Sequence, residues 1–214
     1  MDYVTSRKRL VDRLVSEGYL NTKSVIEAML SVPRELFVPE AAKESAYDDC
    51  ALPIGERQTI SAPHMVAMMT ERLRLSVDSL VLEVGSGSGY QAAILACIAN
   101  KGFIYTLERI PKLAEYARNN LSRCGVKNVE VIEADGTTGY AEKSPYDCII
   151  VTAAAPKIPK ALVKQLKDGG LLLIPVGNRF LQSLVEVRKE GDKTVEVNHG
   201  GCVFVPLIGA DGWG

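Results

Sequence analysis

The chain has 214 residues, 47% hydrophobic and 24% charged, with a formal net charge of −1. Its length suits one domain with some decoration, and its composition suits a buried core. The near-neutral balance gives no global field for nucleic acid or an anionic membrane, and no run reaches the ~18 apolar residues of a spanning helix.

The first elements read as helices. Leu10, Val11 and Leu14 share one helical face, and Val25, Ile26, Met29 and Leu30 share the next. Gly18 separates the two, and Asn21 and Thr22 offer caps. Arg7, Lys8 and Arg9 are placed as in a signal peptide, but Asp12, Arg13 and Glu17 interrupt the apolar stretch that should follow. Pro33, Pro39 and Pro53 then mark an irregular stretch lasting to about His64. Loops of that length are often functional.

From Ser79 strands and helices alternate. Strands are expected over 80–84, 103–107, 129–134, 146–151 and 171–176. Helices fall between them: one through Ile94 and Ile98, one carrying Ile110, Leu113, Ala114, Ala117 and Leu121, and one over 159–166. The remainder is β-rich, over 183–187, 194–197 and 202–205. Right-handed β-α-β crossovers then build a doubly wound, mostly parallel α/β sheet with N-terminal helices and an antiparallel edge. One domain is expected, with segment 1–78 before a cofactor-binding core at 79–178 and C-terminal strands at 179–214. Ligands of such sheets bind at the carboxyl ends of the strands.

Five cysteines, at 50, 97, 124, 148 and 202, are an odd number with no C-x-x-C pair. Neither a disulfide framework nor a zinc cage is expected, but reduced thiols in a cytoplasmic protein without metal.

The strongest local signal is Val81-Leu82-Glu83-Val84-Gly85-Ser86-Gly87-Ser88-Gly89-Tyr90. An apolar strand runs into glycines that allow a tight turn and close approach of a ligand. A dinucleotide fingerprint would place glycine where Tyr90 stands. Glu83 beside the glycines suits a cationic ligand such as S-adenosylmethionine, which carries a sulfonium and an ammonium. Glu108 ends the second strand, where a carboxylate accepts from both ribose hydroxyls. Asp135-Gly136 ends the third, offering an acceptor for an adenine amino group and room for the ring. Upstream, the isolated segment around Ser61 reads most simply as a helix cap, with Ser61 or Thr59 capping a helix that starts near Pro63.

The wider pattern changes that reading. Ala46-Tyr47-Asp48-Asp49, Leu52-Pro53-Ile54-Gly55, Gln58-Thr59-Ile60-Ser61 and Pro63-His64-Met65 precede the glycine run. Pro145-Tyr146-Asp147, Ala153-Ala154-Ala155-Pro156, Pro175-Val176-Gly177 and Phe204-Val205-Pro206-Leu207 follow it. Together, from about residue 7 to the end, these closely resemble the protein-L-isoaspartate (D-aspartate) O-methyltransferases. The departures are small: Ser86 stands where threonine is common, and Cys50 where a larger or charged residue is common.

The resemblance implies a class I S-adenosylmethionine-dependent methyltransferase fold. It implies transfer of a methyl group to the free carboxylate of L-isoaspartyl (and D-aspartyl) residues in flexible segments of damaged proteins, releasing S-adenosyl-L-homocysteine. The ester then closes to a succinimide, whose hydrolysis restores some normal aspartyl linkage. Ser61 is implied as the active-site residue. Thr59, Ile60 and His64, with Glu83, Gly85, Ser86, Gly87, Gly89, Glu108, Asp135 and Gly136, are implied around the cofactor. Ser61, Ala62 and His64 are implied around the substrate, and a monomer without nucleic acid or membrane partner is expected.

The acceptor carboxylate has a pKa near ~4, so it is ionised at neutral pH and needs no general base. Alignment should then dominate catalysis, with Ser61 orienting the carboxylate and forming no covalent bond to it. His64 is left between a hydrogen bond in the site and packing at the helix start; His199 is expected on the surface or a strand. The tail from Gly209 through Gly212 and Trp213 to Gly214 either covers the peptide groove or hangs loose with Trp213 on the core.

Other readings have less support. Thr152-Ala153-Ala154-Ala155-Pro156 stands where amino-methylating nucleic-acid enzymes carry Asn/Asp-Pro-Pro-aromatic, and it holds no cysteine nucleophile. A non-catalytic S-adenosylmethionine-binding module, or a methyltransferase acting on another acceptor, would share the fold.

Overall fold

The computed structural model describes residues 2–214. Helices α1 (Tyr3–Ser16) and α2 (Lys23–Ser31) lead the chain. Asp2 caps α1 by accepting from the backbone N–H groups of Val4 and Thr5, both at 3.1 Å. The stripe Leu10, Val11 and Leu14 is buried. In α2 the buried face is Val25, Ala28 and Met29, so the apolar stripe is rotated and Leu30 is exposed. Thr22 sits at the N-cap of α2, but its hydroxyl donates to Glu71 instead of the helix.

The stretch expected to be irregular is partly regular. Two 3₁₀ turns, Arg34–Leu36 and Glu40–Ser45, precede an antiparallel hairpin of β1 (Leu52–Gly55) and β2 (Gln58–Ile60). Strands of four and three residues, one containing Pro53, leave little periodicity to read. The turn uses Glu56 and Arg57 at φ 49° and 58°, residues that carry no turn signal. Helix α3 (Pro63–Leu73) follows.

The main sheet holds β3 (Leu80–Val84), β4 (Phe103–Glu108), β5 (Val129–Glu133), β6 (Tyr146–Val151), β7 (Leu166–Gly177), β8 (Gln182–Glu190) and β9 (Lys193–Cys202). Their spatial order is β5-β4-β3-β6-β7-β8-β9. The first five are parallel, and β8 and β9 close the edge antiparallel. Helices α4 (Tyr90–Ile98), α5 (Pro111–Arg123) and α6 (Lys160–Lys164) supply crossovers. Strand order reverses between β3 and β6, which opens a crevice at their carboxyl ends.

Alternate residues of the inner strands feed two cores. Val81, Ile104, Ile150 and Leu173 pack with α1–α5, whereas Leu82, Leu107, Ile149 and Leu172 pack with Leu162 of α6 and Leu207. Burial on both faces explains the near-continuous apolar runs in the sequence. Helix α4 lies between the sheet and α2, so it is buried nearly all round.

Two expected elements differ. Helix α6 has five residues, because β7 starts already at Leu166. No separate strand occupies 202–205: β9 runs to Cys202, and the chain then crosses the sheet. There the Ala154 N–H donates to the Val205 carbonyl and the Leu207 N–H to the Ala154 carbonyl, both at 2.8 Å. Strand β9 is exposed for most of its length, so no apolar alternation marks its bounds. His199 lies on β9, its Nε2 2.9 Å from Glu186, whose carboxylate also accepts from Arg74 at the end of α3.

Candidate active site

The crevice is a cleft with about 1020 Å³ of empty space out to its solvent-open mouth. Its floor is the turn after β3. The N–H groups of Gly85 and Ser86 donate to the Leu107 carbonyl at 2.8 and 3.1 Å, folding the turn against β4. Gly85 has φ +99°, and a Cβ there would stand 2.4 Å from Thr152 Oγ1. That hydroxyl donates to the Gly85 carbonyl at 2.7 Å, so a strand-end threonine of β6 fills the space a side chain would need.

Glu108 ends β4 with both oxygens oriented. Oε2 accepts from the Gly87 N–H and Oε1 from the Ile110 N–H, each at 3.0 Å. Further lone pairs remain for a ribose diol.

Glu83 is fully buried and lines the same cleft. Its Oε2 accepts from the Thr106 hydroxyl, which pairs with Ser86 Oγ at 2.7 Å. Its Oε1 has no partner among the described residues. Burial pushes its pKa up to about 8, against the Thr106 hydrogen bond and with help from the Glu108 charge. A buried acid with one bare oxygen suits a ligand that brings positive charge or a donor.

At the tip of β5, Gly136 lines the cleft, but Asp135 is not part of that lining. Its Oδ1 accepts from the Thr137 N–H and hydroxyl, and its Oδ2 from the Ala210 N–H at 2.8 Å. Burial opposes the Asp135 charge, but those donors win and hold its pKa below the usual range. In this structure the carboxylate expected at adenine instead holds the C-terminal tail.

The tail is therefore not loose. The Trp213 indole N–H donates to the Ala154 carbonyl at 3.0 Å, and the Arg179 guanidinium lies 5.1 Å over its ring. Val205, Pro206, Leu207 and Ile208 form one wall of the cleft.

Gln58, Thr59, Ile60 and Ser61 form another part of the lining. Neither Thr59 nor Ser61 caps α3: the N-cap residue is Ala62, and no side-chain cap bond comes from it. The Ser61 carbonyl accepts from Arg34, and its hydroxyl makes no hydrogen bond among the described residues. Ser61 thus brings an unpaired hydroxyl to the cleft whose lining also includes the glycine turn.

Besides Asp135, three expected residues stand elsewhere. Ala62 and His64 do not line the cleft, because Pro63 starts α3 there and turns the chain away. The His64 ring is held by Asp49 and rests 5.4 Å from the Tyr19 ring. Gly89 is a left-handed N-cap of α4 packed on α5, where a Cβ would meet Leu121 at 3.2 Å. Sequence reasoning missed Thr152 and Ala153 after β6, Gln91 on α4 and the 205–208 wall. The strand-end rule could have found the first two; the wall was marked only by Phe204-Val205-Pro206-Leu207 in the family resemblance. No group of three or more His, Cys, Asp or Glu among the described residues could hold a metal ion. No helix among them is long and apolar enough to cross a membrane.

Comparison with known proteins agrees with this geometry. The family model for protein-L-isoaspartate(D-aspartate) O-methyltransferase matches residues 5–212. The protein-L-isoaspartate O-methyltransferase of Hyperthermus butylicus is 55% identical over 97% of this chain and 90% of its own. That of Geobacter metallireducens is 51% identical over 100% and 99%. A Plasmodium falciparum crystal structure described as such an enzyme, in complex with S-adenosyl-L-homocysteine, superposes with a TM-score of 0.84. It shares 28% identity and covers 94% of this chain and 98% of that one.

Proposed function

This chain belongs to the protein-L-isoaspartate (D-aspartate) O-methyltransferase family, and on that premise we propose that Ser61 orients the acceptor carboxylate during repair methylation. The enzyme transfers a methyl group from S-adenosylmethionine to the free carboxylate of L-isoaspartyl residues. The observation that carries the Ser61 assignment is a free hydroxyl on the wall of the cleft that also holds the glycine turn, Glu83, Glu108 and Gly136.

The pocket fits the cofactor on its own chemistry. Glu83 lines the cleft as a fully buried acid whose Oε1 has no partner among the described residues, a group that positive charge nearby would compensate, and the Gly85 turn leaves a surface without a Cβ. Glu108 would hold the ribose, and Gly136 would leave room for the base. When bound, S-adenosylmethionine supplies an activated methyl group on its sulfonium. Ser61 donates its hydroxyl hydrogen to one acceptor oxygen and aims the other at the donor side of the cleft. The acceptor is already ionised, so no residue need remove a proton. The apolar side chains of Ile60, Leu107 and Leu207 keep water from competing as an acceptor.

The same reading makes the whole chain one methyltransferase unit acting as a monomer on flexible, damaged segments. A cytoplasmic location is part of this reading, from an odd number of cysteines without C-x-x-C spacing. The deciding experiment offers radiolabelled S-adenosylmethionine with an isoaspartyl peptide, its aspartyl twin and DNA. Base-labile label is expected on the first alone; equal label on the aspartyl twin would remove the repair assignment.

A further inference from the structure

Arg34 is wholly buried, which is rare for a guanidinium and costly without good partners. It sits in the first 3₁₀ turn, away from the cleft lining. Its Nε donates to the Ala46 carbonyl at 2.9 Å and its Nη2 to the Ser61 carbonyl at 2.7 Å. Its charged carbon lies 5.0 Å from the centroid of the Tyr90 ring, within the range of a cation–π contact. Nη1 has no partner among the described residues.

The two carbonyls are the ends of one loop. Residues 46–61 leave the second 3₁₀ turn, form the β1–β2 hairpin and return at Ser61. That hairpin roofs the cofactor turn: a Cβ on Gly87 would lie 3.4 Å from Ile54 Cδ1, and Gln58, Thr59 and Ile60 line the cleft. At its tip Glu56 pairs with Lys112 at the start of α5, an exposed pair that adds little. Holding both ends of a loop at one point removes much of its freedom. Tyr90, the third partner, opens α4 directly after the glycine run and lines the cleft. One cation therefore touches both loop ends and the first residue of the helix behind the cofactor turn.

We infer that Arg34 is a positioning residue for methyl transfer: it clasps the 46–61 loop and fixes the Ser61 hydroxyl relative to the glycine turn. It touches no reacting atom and acts through Ala46, Ser61 and Tyr90. Lysine keeps the charge but lacks the planar fork that reaches two carbonyls at once, so even this conservative change opens the clasp. The inference rests on the reaction assigned above.

The test compares wild type with Arg34→Lys and Arg34→Met well below their melting temperatures. Turnover is counted per S-adenosyl-L-homocysteine-binding site, which discounts misfolded protein. Expected is a fall in kcat of tenfold or more for both variants, larger for methionine, with cofactor affinity changed several-fold less. Backbone amide exchange should rise within 46–61 while β3, β4 and β6 stay protected. Unchanged kcat per binding site, or exchange raised evenly through the sheet, would overturn the clasp and leave Arg34 merely structural. A wild type that fails to methylate isoaspartyl peptide would refute the assigned reaction instead, and the exchange experiment would still judge the clasp.

Discussion

Asp49 Oδ1 accepts from His64 twice, from its backbone N–H at 2.9 Å and from its ring Nδ1 at 3.0 Å. The first bond satisfies a first-turn donor of α3 that a local Ser or Thr would ordinarily take. A distant carboxylate thus caps the helix, and the Ser61 hydroxyl stays free for the cleft. Asp49→Ala should cost about 1–2 kcal/mol of stability and lower turnover by loosening the entry to α3. Urea unfolding and steady-state kinetics check both; Asp49→Asn keeps an acceptor oxygen and should lose less of each. A variant as stable and active as wild type would mean that α3 needs no cap here.

Ser61→Ala removes one hydrogen bond to a charged acceptor, a loss of about 1.5–3 kcal/mol. Turnover on isoaspartyl peptide should fall by roughly ten- to a hundredfold. Affinity for S-adenosyl-L-homocysteine, measured by calorimetry, should change by less than about threefold, since Glu83, Glu108 and the glycine turn are untouched. A large loss of cofactor affinity would make Ser61 a cofactor ligand.

Glu83 predicts how cofactor binding depends on pH. Its pKa is about 8 in the ligand-free fold, so at pH 7 it is mostly protonated. Placing positive charge beside Oε1 favours the carboxylate and lowers that pKa, so binding expels a proton. Affinity for S-adenosylmethionine should therefore climb by up to about tenfold per pH unit below pH 8 and level off above it. Calorimetry in buffers of different ionisation enthalpy reads the released proton directly. Glu83→Gln should bind more weakly and lose this slope. The sign for the fold alone is opposite: stability from this raised pKa is complete below about pH 4.5 and lost as pH rises through 8.

Gly85→Ala tests the turn. The alanine would meet a left-handed φ of +99° and a hydroxyl 2.4 Å from its Cβ. A stability loss of about 1–3 kcal/mol and a collapse of cofactor binding are expected. Adding Thr152→Ala relieves the overlap but not the backbone strain, so only part of the stability should return. Full recovery in the double variant, by thermal melting, would show that φ at Gly85 costs nothing.

The cofactor half of the cleft was legible because its residues are close in sequence to strands that advertise themselves. Leu80–Val84 and Tyr146–Val151 are short apolar runs buried on both faces, and their ends fall where the runs end. Glu83 and Gly85 flank the first of those ends, and Glu108 closes the neighbouring strand β4. The substrate half was legible only through the resemblance, since β1 and β2 are too short to show a period.

Sequence alone determined the layered α/β architecture, the strand-end acids and the glycine turn, because each depends on hydrophobic periodicity or on backbone freedom at single positions. Tertiary structure alone decided the partners of the polar groups. Asp49 reaches His64 across 15 positions, Arg34 reaches Ser61 across 27, and Ala210 donates to Asp135 across 75. Hydrogen bonds and ion contacts are short-ranged in space but indifferent to separation along the chain. Which carboxylate caps a helix, holds a tail or waits for a ligand is therefore fixed only when the sheet has brought its loops together.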